Sequence, residues 1–236
     1  MRKISLLLLI FCCLSVICSF DNCFAKGYPY DLKEYYPLGS ADIWNYATVQ
    51  GEEKVQGAVK VSGASEEGGI NSVVLDMNGQ SSDYMLIDNE GIKQYKSASA
   101  MGYTTYSPPR VVYPYLMPQE KKTYDFQRTY FHAIRNEEYL NTNSYEVTLD
   151  SVNEIVEVPA GTFANCLKYS SIFQSKRVNT EEYKQILVCT TWLASGVGLV
   201  KSACNSTDKY QEPPVENQNF IVELESANIN GVEIAN

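Results

Sequence analysis

Hydrophobic and polar positions alternate with period two along most of this chain. Val55, Gly57, Val59 and Val61 alternate with polar or small residues. Tyr124, Phe126, Arg128 and Tyr130 share one face of the stretch Lys122 to Phe131, and Tyr145, Val147 and Leu149 share another. This is the pattern of half-buried β-strands. Ile43 to Val49 reads as the first strand. Ile70 to Met77 and Asp83 to Ile87 read as a hairpin around Asn78-Gly79, a strong turn dipeptide. Val152, Val156 and Val158 have the opposite parity to Tyr145–Leu149, which requires a bulge or turn near Asp150–Asn153. Beyond the first 25 residues, no stretch of ten or more shows a convincing helical period. The fold class predicted is all-β and predominantly antiparallel, a curved or partly open barrel-like sheet, preceded by a signal-peptide helix.

The stretch from Glu157 to Lys201 organises this pattern. Pro159 presets φ for a turn after Val158, and Gly161 can take positive φ at the end of a three-residue hairpin loop. Gly196 and Gly198 permit a second tight turn before Leu199-Val200-Lys201. Cys166 to Gln174 and Tyr183 to Leu193 are strands with apolar residues on both faces, as enclosed strands have. A charged loop at 175–182 separates them, and Phe220 to Leu224 is the last strand. Turn-rich composition predicts loops at Ser62–Gly69, Ser97–Arg110 and Asn205–Asn219, and a polar connection with room for one helical turn at Ala133–Thr142. Pro114 makes Val111–Leu116 an edge or irregular segment. One β-rich domain is expected over 26–227, with two related halves at 36–97 and 111–204 joined near 98–112, and a flexible tail at 228–236.

Residues 1–25 change the compartment. Arg2 and Lys3 precede an apolar run from Ile4 to Cys18 that is too short for a membrane span, and Cys23-Phe24-Ala25 offers small residues for cleavage after Ala25. No cysteine there has a small residue and a lipobox before it, so soluble release to the periplasm or beyond is expected over lipid anchoring. Losing Arg2, Lys3 and Asp21 takes the net charge from −9 to −10. A chain this acidic is repelled by nucleic acid and by anionic membrane surfaces. Four of the seven cysteines leave with the leader. Cys189 and Cys204 lie nearly equidistant from the Gly196-Val197 turn, so hairpin pairing opposes them as a cross-strand disulfide candidate; the alternative is three buried thiols.

Catalytic chemistry is sparse. His132 is the only histidine, and no Gly-x-Ser-x-Gly elbow accompanies it, so a Ser-His-Asp set is not indicated. One histidine and three scattered cysteines lack zinc-ligand spacing. Asp88-Asn89-Glu90-Gly91 lacks the alternating acids of a Ca²⁺ loop and reads as a β-turn. Glu52-Glu53, Glu66-Glu67 and Glu137-Glu138 are neighbours in loops, which does not place two acids across a cleft. No cofactor or metal is expected. The tyrosines are the remaining feature with functional colour: Tyr103, Tyr106, Tyr113, Tyr115, Tyr124 and Tyr130 crowd one region. Tyrosine suits an interface, carbohydrate stacking or the rim of an apolar groove, and more often fills a half-exposed sheet face.

Tyr36-Pro37-Leu38 with Trp44-Asn45-Tyr46, the turn Asp88–Ile92, Val158–Phe163 with Asn165–Lys168, and Gly196–Lys201 occur in an order that resembles a family of secreted bacterial proteins and lipoproteins of unknown function. The likeness covers Tyr35 to Ala203. It implies an antiparallel β-sheet envelope protein, curved like the periplasmic lipoprotein carriers, and implies no activity. The function expected is non-enzymatic binding of a lipid or other apolar ligand, or of an envelope protein. The alternatives are a structural or assembly module, and a carboxylate-dependent hydrolase.

Overall fold

Thirteen strands follow one another around a single sheet in a computed structural model that describes residues 27–178, 184–210 and 214–236. The leader reading and part of the charged loop at 175–182 fall outside those residues. The strands are β1 Ile43–Gln50, β2 Glu53–Glu67, β3 Ile70–Met77, β4 Ser81–Ile87, β5 Gly91–Ser99, β6 Gly102–Pro114 and β7 Lys121–His132. They continue as β8 Glu137–Val158, β9 Gly161–Arg177, β10 Gln185–Ala194, β11 Gly198–Asp208, β12 Val215–Ile229 and β13 Val232–Ile234. Every sequence neighbour pairs antiparallel, and β1 also pairs β12, from Ile43↔Asn228 to Val49↔Ile221. The sheet therefore closes into a twelve-stranded barrel, with β13 appended to the end of β12. Closure removes the open edges that so many strands would otherwise expose.

Several turns fall where the residues require. β3 and β4 are joined through Asn78 and Gly79, both at positive φ (57° and 67°). The parity change in β8 appears as register shifts between Leu149 and Val156. Gly161, Gly196 and Gly198 all take positive φ. The loop after Val158 is shorter than expected: Val158 pairs Gly161, leaving Pro159-Ala160 as a two-residue turn. The three-residue loop is the second one, Ser195–Val197, between Ala194 and Gly198.

The expected loops are largely strand. Ser62–Glu67 continues β2 past a register shift at Gly63 and turns only at Gly68-Gly69. The expected junction at 98–112 lies in the β5–β6 hairpin, which pairs from Ser99↔Gly102 to Lys96↔Thr105 and again from Gln94↔Arg110 to Gly91↔Pro114. Residues 137–142, read as a polar connection, belong to the 22-residue β8. Much of 205–219 lies in β11 and β12. At 228–236, expected as a tail, β12 ends and turns at Asn230-Gly231 into β13. These segments are rich in Ser, Gly and Asn, which bias toward turns locally but are tolerated where both neighbouring strands supply hydrogen bonds.

One seam interrupts the wall. β6 pairs β7 only from Gly102 to Ser107. Pro108 and Pro109 follow, the first after a cis peptide bond, and neither has an N–H to donate. Beyond them β6 pairs only β5.

The two ends of the barrel differ. At one end residues 28–42 fold inward as a plug containing the short helix α1 (Leu32–Tyr35), capped by the Asp31 carboxylate accepting from the Lys33 N–H. Leu32 is fully buried. The Tyr30 hydroxyl meets both backbone groups of Leu116, Tyr35 donates to the Asn165 carbonyl, and the Glu34 carbonyl accepts from the Gly196 N–H at 2.6 Å. Leu149, Leu167, Tyr169, Leu193, Val200 and Leu224 pack beneath. The opposite end, where the β7–β8 turn lies, carries no plug among the described residues.

Candidate functional site

Alternation along β1–β6 sends one set of side chains into the barrel, and there they line a partly open chamber of about 140 Å³. Its body is apolar: Trp44 from β1, Leu75 and Met77 from β3, Met85 from β4, Leu199 from β11. Tyr36 closes it from the plug, and its ring lies 5.5 Å from that of Tyr113. Burial raises the phenols of Tyr36, Tyr46 and Tyr113 far above the usual tyrosine range, so all three are neutral here.

One wall is polar. Asp83 opposes Leu75 on β3 and Ser97 on β5, while Gln94 opposes Arg110 across β5 and β6. Burial raises the Asp83 carboxyl, against lowering by hydrogen bonds from Ser97 and Gln94 and by the Arg110 charge. Two buried atoms on this wall have no partner, Gln94 Oε1 and Arg110 Nε. Unpaired buried donors and acceptors are costly, and a bound molecule that meets both relieves the cost.

A second concavity of about 340 Å³ lies at the opposite mouth, beside the β7–β8 turn. Inward residues of β7, β8 and β9 converge on it: Arg128, Tyr130 and His132 from β7, Tyr139 and Asn141 from β8, Arg177 from β9. Arg135 in the β7–β8 turn and Tyr210 after β11 complete it. The His132 Nδ1 accepts from the Arg135 N–H at 3.3 Å, and the Arg177 guanidinium lies 4.6 Å over the Tyr139 ring.

The six tyrosines singled out in the sequence do not gather into one surface. Tyr115 is a core residue, 4% exposed, donating to Asp31, and Tyr113 lies beside the chamber between Tyr36 and Tyr169. Tyr124 packs on the core, and burial raises its phenol to about 12. Tyr106 stands edge-on to Phe126 and under Arg110. Tyr103 is exposed and stacks on Phe131, and only Tyr130 reaches the mouth. Sequence reading missed Asp83, Gln94 and Arg110, and the arginines of the mouth. The available signal was a charge on an inward position, as with Arg128 between Phe126 and Tyr130.

Cys189 and Cys204 oppose each other across β10 and β11, with Cα atoms 4.2 Å apart, and are joined by a disulfide. Cys166 is a buried free thiol, pushed up to about 11 by burial. The Asp88–Gly91 turn holds no vacant carboxylate cluster: Lys93 bridges Asp88 and Glu90. Among the described residues no three His, Cys, Asp or Glu side chains are grouped to hold a metal ion, and no helix is long and apolar enough to cross a membrane.

No family model and no curated protein matches the chain. Two solved structures are similar to it. One is of a protein assigned as a lipoprotein, from Parabacteroides distasonis, at 12% identity and TM-score 0.45, covering 82% of this chain and 97% of that one. The other is of a protein assigned as exported, with a YmcC-like fold, from Bacteroides fragilis, at 12% identity and TM-score 0.37, covering 81% and 97%.

Proposed function

We propose that this is an exported, non-enzymatic binding protein of the bacterial cell envelope, whose barrel holds a small ligand with an apolar body and one hydrogen-bonding head. The chamber carries this reading: apolar on most sides, with Gln94 Oε1 and Arg110 Nε unpartnered on the remaining wall. A cavity of about 150 Å³ is known to take benzene, so about 140 Å³ fits one ring or a short branched chain. That revises the expectation of a lipid, because a full acyl chain exceeds the space. The head must both donate, to Gln94, and accept, from Arg110; a hydroxyl, a carboxylic acid and a primary amide each do so. The leader pattern and the Cys189–Cys204 disulfide support an oxidising compartment outside the cytoplasm.

The experiment is organic extraction and mass spectrometry of protein purified from its native envelope, beside a Leu75→Trp variant that fills the chamber. One small amphiphile enriched in the natural protein and depleted in the variant is the expected result. Identical extracts from the two proteins would contradict the reading.

A further inference from the structure

We propose that the mouth of the barrel beside the β7–β8 turn is a second binding site, for an oxyanion: a ligand carrying phosphate or carboxylate. The site stands on charge placement that runs against the rest of the molecule. The chain carries a net charge of −9, yet Arg128, Arg135 and Arg177 converge on one cavity with His132. Guanidiniums brought together repel, and an anion placed among them offsets that repulsion.

Arg128 is the clearest member. It is drawn into the barrel by the alternation of β7, opposite Tyr106. Its terminal nitrogens donate to Gln185 Oε1 and Ser175 Oγ, both at a long 3.3 Å, and its Nε has no partner. A guanidinium has five N–H donors, so one hydrogen on each terminal nitrogen is also uncommitted. Burial lowers its affinity for its proton; attraction from Tyr106, Tyr210 and Asp208 opposes this, while Arg110 adds repulsion. Neither Arg128 nor Arg135 makes an ion pair among the described residues. Among the described residues, Asp208 accepts from Gln185 Nε2 and the Tyr210 N–H, both at 2.9 Å, and Glu137 accepts from the Tyr139 hydroxyl. Planar forks of this kind recognise phosphate and carboxylate in particular. Because His132 Nδ1 is already an acceptor for Arg135, a neutral His132 carries its hydrogen on Nε2, which adds a donor and not a competing acceptor.

The test is calorimetric titration of the mature protein with pyrophosphate, with glucuronate and with glucose, at constant ionic strength. Pyrophosphate or glucuronate binds saturably and glucose does not. Arg135→Gln, an exposed position, weakens binding about tenfold or more. Arg128→Lys keeps the charge but loses the fork and weakens binding by a similar factor, with an unchanged circular dichroism spectrum. Preference between the two anions identifies phosphate or carboxylate as the group recognised. Failure of both anions to bind, equal binding of glucose, or binding that Arg135→Gln leaves unchanged would overturn the proposal. The chamber is a separate cavity, so none of these outcomes bears on the ligand proposed there.

Discussion

The indole Nε1–H of Trp44 donates a 2.6 Å hydrogen bond to the carbonyl oxygen of Val197, 153 residues away in sequence. It ties β1 to the Ser195–Val197 turn, and the same turn donates its Gly196 N–H to the plug. Barrel closure, plug and chamber wall meet at this point. Trp44→Phe keeps most of the apolar volume but leaves the buried Val197 carbonyl without its donor. The expected loss is about 1–3 kcal/mol, read as a lower urea midpoint with an unchanged m-value.

Gly91 opens β5 where the backbone of β6 passes very close. It has φ 143°, and a Cβ there would lie 2.2 Å from the Tyr113 carbonyl oxygen. Gly63 has nearly the same φ, 140°, but open space around it. Gly63→Ala should therefore cost only backbone strain, about 1–3 kcal/mol, whereas Gly91→Ala must also displace β6 and lose clearly more. Equal urea midpoints for the two variants would show that the close approach does not matter.

Cys189 and Cys204 are separated by 15 residues. Opening a loop of that length by Cys189→Ala with Cys204→Ala should cost about 3 kcal/mol, with a matching fall in the natural protein under strong reductant. Cys166 gives an internal control. With its thiol raised to about 11 and buried, it should resist alkylation at pH 8 until the protein unfolds.

Asp83 sets a dependence on pH. Its folded carboxyl is raised, mainly by burial, so above the unfolded value the native state holds its proton more tightly than the unfolded chain does. Its contribution is then most favourable at and below the unfolded pKa. It declines as pH rises through the folded pKa, and levels off above it. Asp83→Asn removes this decline. The variant's unfolding free energy should fall less than the natural protein's between about pH 4 and neutrality. Parallel curves would contradict the assignment.

Much of the wall was legible in the sequence, because alternation and turn chemistry are local. Asn78-Gly79, Pro159 and Gly196 mark real turns, and the parity change after Leu149 marks a real set of bulges. Closure was not legible. Nothing near Ile43 says that it pairs Asn228, and turn-biased segments such as Ser97–Arg110 become strand only because two neighbours supply hydrogen bonds. The sites suffered for the same reason. Asp83 and Arg110 are unremarkable polar residues of two strands until β5 brings Gln94 between them. Arg128 and Arg177 are 49 positions apart and meet only across β8. The tyrosines gave a partial lead, since Tyr130 does reach the mouth, but Tyr113 and Tyr115 proved to be interior residues.

The chamber supplies its own reporters. Met77 and Met85 line it, while Met101 and Met117 are exposed elsewhere. The mature protein, labelled with ¹³C at its methionine methyl groups, is titrated with 4-ethylphenol, which has one ring and one hydroxyl, and followed by NMR. Saturable shifts of the Met77 and Met85 signals are expected, with Met101 and Met117 unmoved, and loss of those shifts in Leu75→Trp. Four signals that stay fixed, or that drift together without saturating, would contradict a ligand chamber inside the barrel.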